Sequence, residues 1–588
     1  MGKNKTGAPN TNVRKYIKMN IDLRDSCEEF TTLDSRIKVC QDIIPIPMEV
    51  LSLKERSKKH NIASEYKIVS WNPLSFDKNK GILTCLDKNN ETVQLKAYKK
   101  IMPLITPYRW MKYKERPNEP FIWEHQNKHI LSYENQAYVD TIASSLVSKI
   151  KREHNVPHFC HFYGSYRGVA DVYLYNLEDD LDDFRFSRWF WEELEKNSFG
   201  LRVIEKETGR QLTFEECKEL IKPDDSHLDD DNTMDDEDED EDEDDEDEDE
   251  EDEDKEEIED LTNPLEKKEN RICSDLKSVG SISTCDDNIP IEIVKKRGDN
   301  RSRSSNDSFD TEISDAFEDE YLIHAELRGM PVSVVFLEEM DGTMDDLLES
   351  IQNKEIDMNE SHWIAWIFQI CASLTVLQDY LQLTHNDLHT NNIAWKETKE
   401  EYIYYKDTQG SVWKLPTFGK IYHIIDYGRS IFTINNHIFI SSDYHDGHDA
   451  AGQYNFGSFQ DKSKPFVGPN KSFDLSRLSC SLLRVLFPRN PPYKEKGGLL
   501  TQDGNCMVYE TENGLFNMLW TWLKNVNGMS ILEDGLGNEK YAGFDLYSHI
   551  AQYVKNAIPS EQFKNPIFQQ YRLKQVPTDI SKCIPLPL

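Results

Sequence analysis

The chain has 588 residues, 38% hydrophobic and 11% aromatic, which is enough for a substantial core and too much for a wholly disordered protein. Its formal net charge of −38 is concentrated, since 29 acidic residues and one lysine lie between Asp224 and Asp260; the remainder is only mildly acidic, and no direct nucleic-acid binding is expected. The 11 cysteines contain no CxxC pair, so neither a disulfide framework nor a structural zinc site is indicated, and reduced thiols are expected.

Residues 1–60 are polar with scattered apolar positions and read as an N-terminal extension docked at a few points. MGKNKTGAPN lacks the apolar run of a signal peptide and no later stretch is expected to span a bilayer, which predicts a soluble, intracellular (cytoplasmic) protein. Gly2 with Thr6 fits the loose N-myristoylation pattern, although Lys3 makes the match poorer. His158, Cys160 and His161 in HFCHF, and His445 with His448 in HDGH, are read as ordinary strand or loop residues and not as metal ligands.

From Tyr66 to Tyr98, short apolar runs separated by FDKNKG and DKNNE predict three antiparallel strands. HILSYENQAYVDTIASSLVSKIKREH repeats apolar residues at helical spacing, and HFCHFYGSYRG with ADVYLYN reads as a further strand pair. Residues 61–180 thus form the first part of a small α+β lobe. Residues 181–320 interrupt it; they hold the unbroken acidic run Asp235–Asp254, which self-repulsion keeps from collapsing, so most of the insertion is expected to be disordered. A short helix, FSRWFWEELEK, is expected to pack on the body before disorder begins. Residues 321–345 supply the last strand, PVSVVFLEEM, and a hinge. Residues 346–588 are mainly helical and include HWIAWIFQICASLTVLQDYL, SFDLSRLSCSLLRVLF, GLFNMLWTWLKNV and FDLYSHIAQYVKNAI.

The chemistry is carried by THNDLHTNNIAW. His385-x-Asp387-x4-Asn392 lets one loop present a carboxylate to a hydroxyl while an amide five residues on reaches a metal. Asp426-Tyr427-Gly428 follows at the end of the strand IYHIID, where an aspartate can ligate the Mg²⁺ that bridges nucleotide phosphates.

Together these segments resemble the catalytic loop and metal-binding triplet of protein kinases, HRDxxxxN and DFG. The resemblance implies a bilobal fold, with a small antiparallel-sheet lobe carrying one long helix and a larger, mainly helical lobe. It also implies ATP and Mg²⁺ as cofactors and transfer of the γ-phosphate to serine or threonine hydroxyls of protein substrates. In it, Asp387 accepts or orients the substrate proton, Asn392 and Asp426 hold Mg²⁺, and His389 meets the γ-phosphate where many kinases place a lysine. Lys96, in Val93-Gln94-Leu95-Lys96, would hold the α- and β-phosphates with Glu134 as its ion-pair partner. Leu337 would be the gatekeeper, and Glu338, Glu339 and Met340 the adenine-binding hinge. Asp474 would either brace the catalytic loop or cap its own helix.

The departures are specific. No GxGxxG is present, DLH and Tyr427 resemble haspin, Asn386 replaces the usual arginine, and no APE triplet follows Gly428. The closest likeness is to protein kinases of giant DNA viruses, which would place the protein in virion or host cytoplasm. Two other readings stay open: a small-molecule kinase of the aminoglycoside-phosphotransferase type, and a pseudokinase scaffold whose acidic tract recruits a basic protein partner.

Overall fold

A computed structural model describes residues 19–223 and 320–588 apart from short interior stretches, the longest being 113–127. The architecture is mixed α+β, with strands in both halves of the chain and the longest helix in the C-terminal half. Strands β1 (Leu23–Asp25) and β2 (His60–Ile62) pair with each other within the N-terminal extension. Next come β3 (Lys67–Pro73), β4 (Lys80–Leu86) and β5 (Thr92–Pro103), an antiparallel meander. Aspartates build both of its turns. Asp77 accepts the amides of Asn79 and Lys80, and Asp87 accepts those of Asn89 and Glu91, the side chain standing in for a backbone turn.

After α1 (Pro107–Lys112), helix α2 (Gln136–His154) starts at Asn135, whose side chain accepts the Ala137 amide, and ends at Asn155 in a left-handed conformation. It packs against β6 (Phe162–Asn176). The segment expected to form a strand pair is this one strand of 15 residues. Its partner β8 (Tyr321–Glu338) is 18 residues long and pairs with it from Phe162 to Asn176, so the chain need not turn at Gly168.

The expected boundary at residue 180 is also corrected. Residues 181–223 carry α3 (Arg188–Glu195), β7 (Gly200–Glu205) and α4 (Phe214–Ile221), and β7 pairs with the start of β8. Phe184, Phe190, Trp191, Leu194 and Phe199 are buried there, and this aromatic cluster outweighs the acidic residues that dominate the composition further on. The sheet order is β3-β4-β5-β8-β6, with β7 on β8. The acidic run Asp235–Asp254, and the disorder expected of it, lie outside the described residues.

Beyond β8, the bridge strand β9 (Gly342–Thr343) leads into α5 (Met344–Gln352), which opens with a Thr343/Asp346 capping box. Helix α6 (Glu360–Leu381) is buried along nearly its whole length. By length and composition it could cross a membrane, but here it is the spine of the core. Strand β10 (Ile393–Glu397) pairs with β9 and with β13 (Lys420–Ile424). Between them the sequence reading missed a hairpin, β11 (Tyr402–Asp407) and β12 (Val412–Pro416). A second hairpin, β14 (Phe432–Ile434) with β15 (His437–Phe439), turns at Asn435 and Asn436, both at positive φ. Helices α7 (Phe473–Leu486), α8 (Gly514–Trp522) and α9 (Phe544–Tyr553) follow, and β16 (Ile584–Leu586) lies parallel to β11.

Candidate active site

The loop that leaves α6 is fastened to the core before it reaches its polar residues. Thr384 and Ile431 exchange backbone hydrogen bonds of 3.0 Å. The fully buried carboxylate of Asp474 accepts the amides of His385 at 3.1 Å and Asn386 at 2.9 Å. Asp474 therefore braces the loop, and the N-cap of α7 is Ser472 instead. Asn386 adopts φ +64°, a left-handed conformation that asparagine tolerates. It accepts the Tyr454 hydroxyl at 2.6 Å and donates to the Arg429 carbonyl at 3.1 Å.

That turn presents the half-buried Asp387. Its Oδ2 lies 3.6 Å from the Arg429 guanidinium and 4.0 Å from His389 Nε2, while its Oδ1 accepts the Tyr547 hydroxyl at 3.4 Å. Burial lowers the His389 pKa, with Asp387 opposing, so the ring is neutral near pH 7. Its Nε2 then accepts the Asn392 amide at 3.1 Å, and the same NH₂ donates to the Asp387 carbonyl at 2.9 Å. With the nitrogen fixed on both partners, the Asn392 amide oxygen accepts no hydrogen bond among the described residues and is available to a cation.

Asp426 follows β13, also at φ +64°. Lys100 Nζ sits 3.0 Å from Asp426 Oδ1 and 3.2 Å from Asp140 Oδ2, and the Tyr427 amide donates to Asp140 Oδ1 at 2.7 Å. Burial alone would lower the Lys100 pKa, but the two carboxylates outweigh it and hold the ammonium above its ordinary value. Burial raises the enclosed Asp140 carboxyl. At Asp426, whose side chain is 31% exposed, burial acts the same way but Lys100 prevails, so this carboxyl is held below its usual range. The Tyr427 ring packs 5.5 Å from His385, and its hydroxyl donates to the Ile424 carbonyl.

The expected lysine and its partner are both corrected. Lys96 is exposed, whereas Lys100 is buried. Four residues of strand separate them by about 13 Å, beyond the reach of one side chain. Glu134 precedes the N-cap Asn135 and is off the helix; its backbone carbonyl accepts the Ser442 amide at 2.8 Å. The acid that meets the strand lysine is Asp140, farther along α2.

In the expected hinge, Leu337 is half-buried and lies in register with Tyr98 and Phe162. The Glu338 carboxylate pairs with Lys151 at 2.6 Å and Lys396 at 2.5 Å. Burial would raise its pKa, but the two ammonium groups bring it down to about 2. Glu338 therefore ties β8 to α2 and β10. Glu339 and Met340 are half-buried and lead to Asp341, whose amide donates to the Trp395 carbonyl at 3.0 Å.

Asp140, Arg429 and Tyr547 carry no sequence expectation, and Lys100 stands in the sequence only as a neighbour of the favoured Lys96. Asp140 left a signal, a lone acid among the buried Tyr138, Val139, Ile142 and Ala143. Tyr547 left none, because only tertiary structure brings it to a residue 160 positions away. His158 is a structural residue, its ring nitrogens engaged by the Tyr422 carbonyl and the Tyr405 hydroxyl. Among the described residues no group of three or more His, Cys, Asp or Glu is placed to hold a metal ion. Asn392 and Asp426 are a partial donor set that needs oxygens from a ligand to complete a Mg²⁺ shell. No protein-family model matches this sequence, and no curated protein matches it.

Proposed function

We propose that the chain is a protein kinase of bilobal fold that transfers the γ-phosphate of ATP to serine or threonine hydroxyls of protein substrates. The observation that carries this reading is Lys100 between Asp140 and Asp426. A strand lysine, a helix acid and a post-strand aspartate so joined match the arrangement that positions ATP in protein kinases, and the Asp387–Asn392 loop lies next to it. The neighbouring element is direct, since the Ile425 amide donates to the Asn392 carbonyl at 3.1 Å.

In this reading the acceptor oxygen attacks the γ-phosphorus, the bond to the β,γ-bridging oxygen breaks, and ADP leaves. The acceptor proton passes to Asp387. Lys100 would hold the α- and β-phosphates. Asn392 and Asp426 would hold Mg²⁺, which supplies neutralisation of phosphate charge. Neutral His389 would offer a polar contact near the transferred group where many kinases place a permanent cation. Because phosphoryl transfer depends mainly on placement and charge stabilisation, this set is sufficient in principle.

One observation favours a second reading, a scaffold with weak catalysis. The turn between β3 and β4 is closed by the Asp77 carboxylate, and the Asn79 carbonyl accepts the Lys99 amide at 2.6 Å. A side chain added at Gly81 would clash with the Asn72 carbonyl, so that glycine serves the strand crossing and not phosphate wrapping.

Mg²⁺-dependent transfer from labelled ATP to casein, compared between wild type, Asp387→Asn and Asp426→Asn, separates the readings. The kinase reading expects both variants to lose at least a hundredfold in rate while keeping their melting temperature. Wild-type turnover no higher than theirs overturns it in favour of the scaffold; transfer confined to a metabolite pool would indicate a small-molecule kinase.

A further inference from the structure

The hydroxyl nearest to the Asp387 carboxylate comes from outside its own loop. Tyr547, on α9, brings its hydroxyl to 3.4 Å from Asp387 Oδ1. Arg477, on α7, donates its Nε to that same hydroxyl oxygen at 2.7 Å, so the hydroxyl hydrogen is left for the carboxylate. The Tyr547 side chain is 6% exposed and packs between Phe473, at 5.9 Å, and Phe544, at 5.4 Å. Arg477 is itself held by Ser481 at 2.9 Å. Burial raises the Tyr547 pKa above its ordinary value, so the group remains a donor throughout the neutral range.

We propose that Tyr547, oriented by Arg477, is a positioning residue that fixes the Asp387 carboxylate for the acceptor hydroxyl. The inference rests on the kinase reading above. With Oδ1 held by tyrosine, Oδ2 is the oxygen left for the acceptor, on the side where Arg429 and His389 stand at 3.6 and 4.0 Å. The device spans three separate elements, which makes the base's geometry depend on α9 being seated. A merely inhibitory role, in which the tyrosine hydroxyl occupies the acceptor's place, predicts the opposite sign when that hydroxyl is removed.

The test is single-turnover transfer from Mg²⁺-ATP to casein by the full chain, with nucleotide affinity and melting temperature measured alongside. Tyr547→Phe should lower the transfer rate about tenfold, the usual effect of losing one hydrogen bond to a charged group. ATP affinity should stay within twofold. Arg477→Met, which keeps the ring in place, should give a similar loss, and the double variant should be no worse than the poorer single one because both act through one contact. Should Tyr547→Phe fail to fold, Arg477→Met alone carries the comparison. A rate in Tyr547→Phe equal to or above that of an active wild type overturns the proposal, as do losses that multiply in the double variant. An inactive wild type instead overturns the kinase reading, and this inference with it.

Discussion

Lys100 and Asp140 meet at 3.2 Å across the interface of β5 and α2, and the same ammonium reaches Asp426 at 3.0 Å. One lysine thus joins sheet, helix and the end of β13. The Tyr427 amide adds a second link from that end to Asp140, so the helix is already docked without any modification.

The first prediction follows from that placement. Lys100→Met should abolish ATP turnover, with a loss of at least a hundredfold, while Lys96→Met should stay within twofold of wild type. Equal losses in a steady-state ATPase or transfer assay would show that the buried lysine has no special role.

A second prediction concerns the segment after Asp426. Ser441, Ser442 and Tyr444 could accept phosphate by composition, yet all three are buried, and Tyr444 donates its hydroxyl to the Arg429 carbonyl. Asn386, where many kinases carry a phosphate-binding arginine, accepts Tyr454 instead. Phosphatase treatment, or replacing both serines by alanine, should leave activity within twofold. Tyr454→Phe should cost about 1 kcal/mol of stability in urea titration. A large loss after phosphatase treatment would show that phosphorylation orders this segment.

The N-terminal extension supplies a third test. Asp34 pairs with the fully buried Lys99 and with Arg36 at 3.3 Å. Burial would raise the Asp34 carboxyl, but these cations bring it down to about 2. Its contribution is therefore present above about pH 4, the unfolded range, and is lost as pH falls toward 2. Burial lowers Lys99 to about 8 despite its partner, which marks the ammonium as costly to leave alone. Asp34→Asn should destabilise by about 3 kcal/mol, and Lys99→Met in the same chain should restore part of it. Unchanged urea midpoints would place the extension outside the cooperative core.

The fourth prediction is a pH dependence. Burial lowers His158 to about 4 and His423 to about 3, against about 6.5 in an unfolded chain. As pH falls below about 6.5 the unfolded state takes up these two protons first, so stability must drop. The slope is on the order of 2.7 kcal/mol per pH unit for two such groups. Urea midpoints measured from pH 7.5 to 4.5 should be flat above about 7 and fall steeply below 6; constancy down to pH 5 would contradict the burial of both rings.

The candidate loop could be singled out from sequence because its pattern is local: His385, Asp387 and Asn392 lie within eight consecutive residues, and their spacing is independent of what packs around them. The strand lysine could not, because three lysines, Lys96, Lys99 and Lys100, lie close together on β5 and only the approach of α2 selects one. Sequence parity puts Lys96 and Lys100 on the same face of β5, so alternation could not separate them. The helix start was misjudged for a related reason. Glu134 and Asn135 both suit a first turn, and the amide of Ala137 chose Asn135 as its cap. HFCHFYGSYRG and ADVYLYN form one strand and not a pair because the long partner β8 holds the chain extended through Gly168.

The seat of Asp474 has a consequence for amide exchange. His385 and Asn386 lie in a loop, where backbone amides ordinarily trade their hydrogens with water quickly. Here both donate to one fully buried carboxylate, and both residues are themselves fully buried. Their hydrogens can leave only when α7 separates from the loop, which requires opening the core around it. Two loop amides should therefore exchange as slowly as the centre of α6 and report the stability of the whole fold, providing a probe at the heart of the site that needs neither ligand nor turnover.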